Sequence, residues 1–148
     1  MASTARDVWD DVGGQEGVTA DPAANTNPAA VTITTGQRWL LLSASATMVT
    51  DAHAANRYPY LEILADGTNA IDKYMATSPI TASLTQTITF GGGATGGAIG
   101  DNLMYSIPIP VNGIEIPGGG KFQVKFLNIQ ATDNCGVLRY RYKVLNEY

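Results

Sequence analysis

The amino-acid sequence predicts an all-β fold: an eight-stranded antiparallel jelly-roll-like sandwich preceded by an extended N-terminal arm. Three observations predict it. From Val31 onward, short runs rich in Thr, Val, Ile, Tyr and Phe, which suit a pleated and half-buried surface, are separated by Gly, Pro, Asn and Asp turns. No window carries apolar residues at the three-to-four spacing of a helix. The runs number eight, which suits a jelly roll better than a seven-stranded immunoglobulin-type sandwich; the latter would also want a cysteine pair flanking a tryptophan, and this chain has one cysteine, Cys135.

The chain divides into an arm, residues 1–30, and a sandwich domain, residues 31–148. The arm holds five of the thirteen acids (Asp7, Asp10, Asp11, Glu16 and Asp21), several glycines and no sustained apolar period, so it reads as extended or mobile. Within it Val8, Trp9 and Val12 are large apolar side chains set among acids. That pattern fits a short anchor that orders on another surface, and it fits equally a tryptophan that packs back on its own domain.

The strands expected in order are 31–35, 38–49, 57–65, 70–76, 80–90, 102–109, 120–131 and 136–146. Alternation is clearest in the last two. In Lys121–Phe126 the apolar Phe122, Val124 and Phe126 share one face and Lys121, Gln123 and Lys125 the other. In Arg139–Val144 the same rule points Tyr140, Tyr142 and Val144 inward and Arg139, Arg141 and Lys143 outward. With Ala131–Gly136 as a turn, the two strands are expected to pair as an antiparallel hairpin whose outer face collects five of the nine basic residues. Residues 121–148 carry net +3 against −7 for residues 1–120, so such a face suits an acidic partner, one candidate being the arm of a neighbouring copy. A solvated outer face is the alternative, since outward Lys and Arg are the default on strands.

The opposite asymmetry lies at residues 74–120, which contain Asp101 and Glu115 but no Lys, Arg or His. The run Ile80–Phe90 alternates, yet its polar face is Thr, Ser and Gln, including Thr85 and Thr87. A neutral polar face loses little on desolvation, so this strand is a candidate subunit seam, or else simply a threonine-rich exposed strand.

Composition excludes several function classes. The 148 residues suit one domain, and a net charge of −4 gives no basic footprint for nucleic acid. The segment Met1–Asp7 lacks the apolar core of a signal peptide, and the apolar run Trp39–Leu42 is too short to span a bilayer, so no membrane association is expected. One histidine, His53, and one cysteine, Cys135, cannot build a His/Cys metal centre, and a His53–Cys135 nucleophile pair has nothing else to support it. Gly91–Gly96 satisfies G-x-G-x-x-G after a strand, but the glycine-rich continuation offers no helix N-terminus for a phosphate. The aspartates Asp51, Asp66, Asp101 and Asp133 lack calcium-loop spacing and read as turn formers. Tyr58 and Tyr60, on one face of a strand, would be the only aromatic platform for a carbohydrate, with core packing as the other reading. No catalytic residue, metal ligand or cofactor site is therefore expected.

Several segments together resemble small structural proteins of tailed bacteriophage virions. These are Ala54–Ile63 followed by Asp66-Gly67, then Ile107-Pro108-Ile109-Pro110, then Ile116-Pro117-Gly118-Gly119-Gly120, and the strand ending Asn128–Asp133, all after a Trp39-containing strand. The likeness covers residues 31–148 and not the arm. It implies a non-enzymatic jelly-roll protein on the capsid surface, made in the host cytoplasm, that decorates or cements the shell by binding major capsid protein, usually as a homotrimer. On that reading Val8, Trp9 and Val12 would anchor the arm, Thr85 and Thr87 would lie in the trimer seam, and Lys121, Lys125, Arg139, Arg141 and Lys143 would face an acidic shell. Other head, neck or tail components, a host-receptor or carbohydrate-binding sandwich, and an enzyme are the alternatives, the last wanting a pocket of convergent titratable groups.

Overall fold

The computed structural model describes residues 14–92, 97–99 and 104–145. Its described residues form strands and loops with no helix. The strands are β1 (Gln15–Val18), β2 (Val31–Thr32), β3 (Arg38–Val49), β4 (Tyr58–Leu64), β5 (Ala70–Met75), β6 (Thr85–Gly92), β7 (Gly97–Ile99), β8 (Met104–Ile109), β9 (Ile114–Pro117), β10 (Lys121–Leu127), β11 (Asn134–Cys135) and β12 (Arg139–Leu145). They build two layers. One sheet of eight runs β1-β12-β3-β6-β8-β7, with β9 and β11 also on β3, and one sheet of four runs β2-β10-β4-β5. The all-β sandwich is as expected, with four short strands beyond the expected eight.

The long strand β3 organises the larger sheet. On one side it pairs β12 and then β11, and on the other β9 and then β6. All four partners skip Leu42, and the register with β12 shifts between Arg141 and Tyr142. One extra residue reverses the in-out parity of everything beyond it. Thus Ala44, Ala46 and Met48 point inward after the bulge while Trp39 and Leu41 do so before it. Without the bulge, Trp39 would face solvent.

Between the sheets lie Leu41, Ile63, Ile88, Phe90, Ile116, Phe122 and Val124, each fully buried. One end of this core is aromatic. Trp39 stacks on Tyr142 with ring centroids 3.9 Å apart, and Tyr140 meets Phe122 edge-on at 5.1 Å. The indole N–H donates to Gln37 Oε1 at 2.8 Å, which satisfies the one polar atom that Trp39 would otherwise bury.

Three expectations are corrected. The strands holding Lys121–Phe126 and Arg139–Val144 do not form a hairpin. β10 pairs β2 and β4 in the small sheet, whereas β12 pairs β1 and β3 in the large one. The turn at 128–133 carries the chain from one layer to the other, where Asn134-Cys135 joins β3, so Lys121 and Lys125 lie on the opposite outer face from Arg139, Arg141 and Lys143. The pairing is also not wholly antiparallel, because β6 and β8 run parallel. The chain passes β6 to form β7, then returns as β8 into the gap between them.

The third correction concerns residues 14–30, expected to be an arm outside the sandwich. Gln15–Val18 is the edge strand of the large sheet, Thr19 bonds Leu138 through both backbone and hydroxyl, Asn25 N donates to Asp133 O, and Asn27 Oδ1 accepts from Phe126 N. This stretch is extended but fastened. Glycine makes the fastening possible, since a Cβ on Gly17 would stand 2.2 Å from the Tyr140 ring that lies across it. Val8, Trp9 and Val12 lie outside the described residues. Among those described, no helix is long and apolar enough to cross a membrane.

Candidate functional site

Two places on the described structure concentrate polar chemistry. The first is an end of the sandwich where the loop after β3, the head of β4 and the turn after β10 meet. Arg57, immediately before β4, is fully buried there. Its guanidinium forks onto Asp133 through Nε to Oδ2 and Nη2 to Oδ1, both at 2.8 Å. Nη2 also donates to Asp51 Oδ1 at 2.7 Å, and Nη1 donates to the carbonyls of His53 and Ala55 at 3.0 and 2.7 Å. All five donors of the arginine are used.

The carboxylates are as fully engaged. Asp133 also accepts from the backbone N–H of Asp51 and of Gln130, at 2.8 and 2.7 Å. Burial pushes its pKa up, but the Arg57 fork and these two amides outweigh burial and hold the carboxyl below its usual range. At Asp51 burial is likewise outweighed, here by Thr132 Oγ1 and N and by the amide and ring of His53, which leaves that carboxyl well below the ordinary value. The guanidinium of Arg57 is held further toward its charged form, first by its bond to Asp133. The guanidinium and the two carboxylates are each held in their charged forms in such an arrangement.

Its geometry also lacks the order of a catalytic triad. His53 Nδ1 and Thr132 Oγ1 both bond Asp51 Oδ2, at 3.0 and 2.8 Å, so the carboxylate stands between ring and hydroxyl instead of the ring standing between the other two. His53 and Cys135, weighed as a pair in the sequence, have separate partners. The His53 ring is exposed and bonds Asp51, while Cys135 is sealed beneath the large sheet and burial pushes its thiol up to about 12. The cluster ties the loop between β3 and β4 to the turn after β10 across one end of the fold.

The second place is the outer face of the large sheet. Ser43, Ser45 and Thr47 of β3 lie beside Gly91, Thr89 and Thr87 of β6, so the centre of this face carries no charge. Thr47 and Thr87 share a hydroxyl hydrogen bond at 3.2 Å. Thr85 is exposed beside Val49, itself 44% exposed. Toward the β1 edge, Val18, Arg139 and Ser45 form one row across three strands and Glu16, Arg141 and Ser43 the next. A concavity of about 460 Å³ opens over these six residues, floored by Gly17 and Tyr140.

The outer face of the small sheet differs. Glu62 accepts from Gln123 Nε2 at 2.8 Å and stands 3.7 Å from both Lys73 and Lys125. Tyr58 and Tyr60 lie outward on this face, but Tyr60 is 8% exposed, with the Lys73 ammonium 5.5 Å from its ring centroid. A covered ring offers no platform for a sugar. Among the described residues, no group of three or more His, Cys, Asp or Glu comes together to hold a metal.

Comparison of the chain with protein-family models, curated proteins and solved structures finds no match in any of the three. Sequence reasoning missed Arg57 as a hub because Asp51 and Asp133 approach it only through the fold, and no spacing links the three. A single arginine heading a strand whose remaining residues are nearly all buried was the available signal.

Proposed function

We propose that this protein is a non-enzymatic assembly module that decorates and cements a phage capsid shell, binding major capsid protein as a homotrimer. One observation supports the reading most directly. The outer face of the large sheet presents Ser43, Ser45, Thr47, Thr87 and Thr89 as a broad uncharged surface of small hydroxyl side chains. Such groups exchange water for a partner's backbone or hydroxyls at low desolvation cost, and small side chains let two sheets approach closely. The charged residues of this face surround the hydroxyl patch, with Glu16, Arg139 and Arg141 toward β1 and the exposed Arg38–Glu115 pair, 3.7 Å apart, at the start of β3 and on β9, as in an interface with a neutral core and a polar rim.

The resemblance of residues 31–148 to virion proteins supplies the shell as the partner, and the jelly-roll arrangement it implies belongs to the same proposal. Repetition over a symmetric shell makes many individually weak contacts sufficient. The Arg57 cluster serves this role by locking loops at one end, so that the outer face is presented on a rigid body. The test is co-sedimentation of the purified protein with intact capsids lacking it. Saturation at a fixed stoichiometry, with a higher temperature of shell disruption, is expected. Absence of co-sedimentation, or saturable glycan binding lost in Tyr58→Ala, would replace this reading with that of a receptor-binding module.

A further inference from the structure

We infer that the concavity beside β1 is a binding site for an acidic, tryptophan-bearing peptide, and that its occupant is the segment 1–13 of a second copy of this chain. The inference deepens the assembly reading, and rests on it in requiring that copies meet. It starts from the walls of the site. Arg139 and Arg141 are exposed guanidinium groups two residues apart on one face of β12, with the hydroxyls of Ser45 and Ser43 beside them on β3. Planar guanidinium forks flanked by hydroxyl donors match carboxylates, which accept in pairs.

The two halves of the site are not equal. Glu16 stands opposite Arg141 and lowers the positive potential there, whereas Val18 stands opposite Arg139. Among the described residues Arg139 makes no side-chain hydrogen bond or ion pair. The half formed by Arg139, Ser45 and Val18 therefore combines a cation, a hydroxyl and an apolar side chain that is 55% exposed. Its complement is a carboxylate next to a large apolar group.

Residues 1–13 have that composition. Asp7, Asp10 and Asp11 alternate with Val8, Trp9 and Val12, and the segment carries net −2. The chain's own path favours exchange between copies. The described chain enters β1 at Gln15, beside Tyr142, which is the end of β1 farther from Arg139 and Ser45. The segment before Gly14 thus joins its own body at the Glu16–Arg141 end of the concavity, and the Arg139 half at the other end is open to a neighbour's segment. Exchange of this kind around a closed ring gives each copy one site and one ligand.

A zero-length carbodiimide cross-link tests this in the full chain carrying Arg139→Lys, which keeps the cation and adds a reactive amine. Light- and heavy-nitrogen protein are mixed unfolded, refolded together and cross-linked. Expected are peptides joining Asp7, Asp10 or Asp11 to position 139, the great majority between copies, so that about half carry mixed labels in a random mixture. Raising salt to about 1 M, where the screening length falls to about 3 Å, should lower the yield several-fold. Cross-links confined to single-label pairs would overturn the second copy as occupant. Oligomers by light scattering with no such cross-link would overturn the docking and leave the assembly reading standing, whereas a monomer would overturn both.

Discussion

Asp133 carries the largest residue-scale consequence. Its carboxylate accepts from Nε and Nη2 of the fully buried Arg57 and from the amides of Asp51 and Gln130, so Asp133→Ala leaves four N–H groups without their acceptor and Arg57 with Asp51 as its one carboxylate, a change that costs about 3–5 kcal/mol. Against a total of about 5–15 kcal/mol for a domain, the variant should show a greatly lowered urea midpoint or be unfolded at room temperature. A midpoint within error of the parent would contradict the assignment. The sign of the pH dependence follows from the same groups. Asp51, Asp66 and Asp133 all have folded-state pKa values below their unfolded values, so their stabilisation is present above about pH 4 and is lost as the pH falls. At Asp66, whose carboxylate accepts from the amides of Asn69 and Thr68, the folded value is about 2, which sets its window between about pH 4 and about pH 2. Asp66→Asn should remove that part of the acid response alone, as read from urea midpoints across the range. The turn role of Asp66 was legible in the sequence, but the Arg57 cluster was not, because residues 51, 57 and 133 converge only after two layers have closed on each other.

Elements were legible where a period ran long enough to be seen. β3 spans the expected 38–49, and β10 and β12 present the inward Phe122, Val124, Phe126, Tyr140, Tyr142 and Val144 that alternation predicts. Short strands escaped. β1 reads Gln-Glu-Gly-Val and β7 Gly-Ala-Ile, with no apolar alternation, and β9 has only Ile114 and Ile116 to show, between a glycine and a proline. Their pairing depends on edges made available by other strands, which is a property of the fold and not of the segment. The same limit produced the mistaken hairpin, since a turn-forming stretch does not reveal whether it reverses a strand or crosses between sheets. Two predictions test the edge. Gly17→Val should displace Tyr140 or peel β1 away at a cost of about 1–3 kcal/mol, seen as a lower thermal midpoint. Deleting residues 1–13 should leave each copy folded and lower the midpoint only by what docking on a neighbour contributes, whereas deleting 1–30 also removes an edge strand and the bonds to Leu138, Asp133 and Phe126 and should lower it by about 10 °C or more.

For the molecule as a whole, bipolar charge takes a different form from the one the sequence suggested. The five basic residues of positions 121–148 do not share a surface. Lys125 is drawn into the Glu62 network of the small sheet, while Arg139 and Arg141 border the neutral face of the large one. The uncharged character of residues 74–120 does map to a surface, because Thr87 and Thr89 of β6 join Ser43, Ser45 and Thr47 of β3 there. The central claim is that this face joins copies of the chain, and light scattering of the purified full chain beside a Thr87→Lys variant tests it most directly. The account predicts about 47 kDa for the parent, three copies of a 15.6-kDa chain, and a single-copy mass for Thr87→Lys with an unchanged thermal midpoint. A parent that stays at the mass of one chain, or a variant that assembles as the parent does, would contradict it.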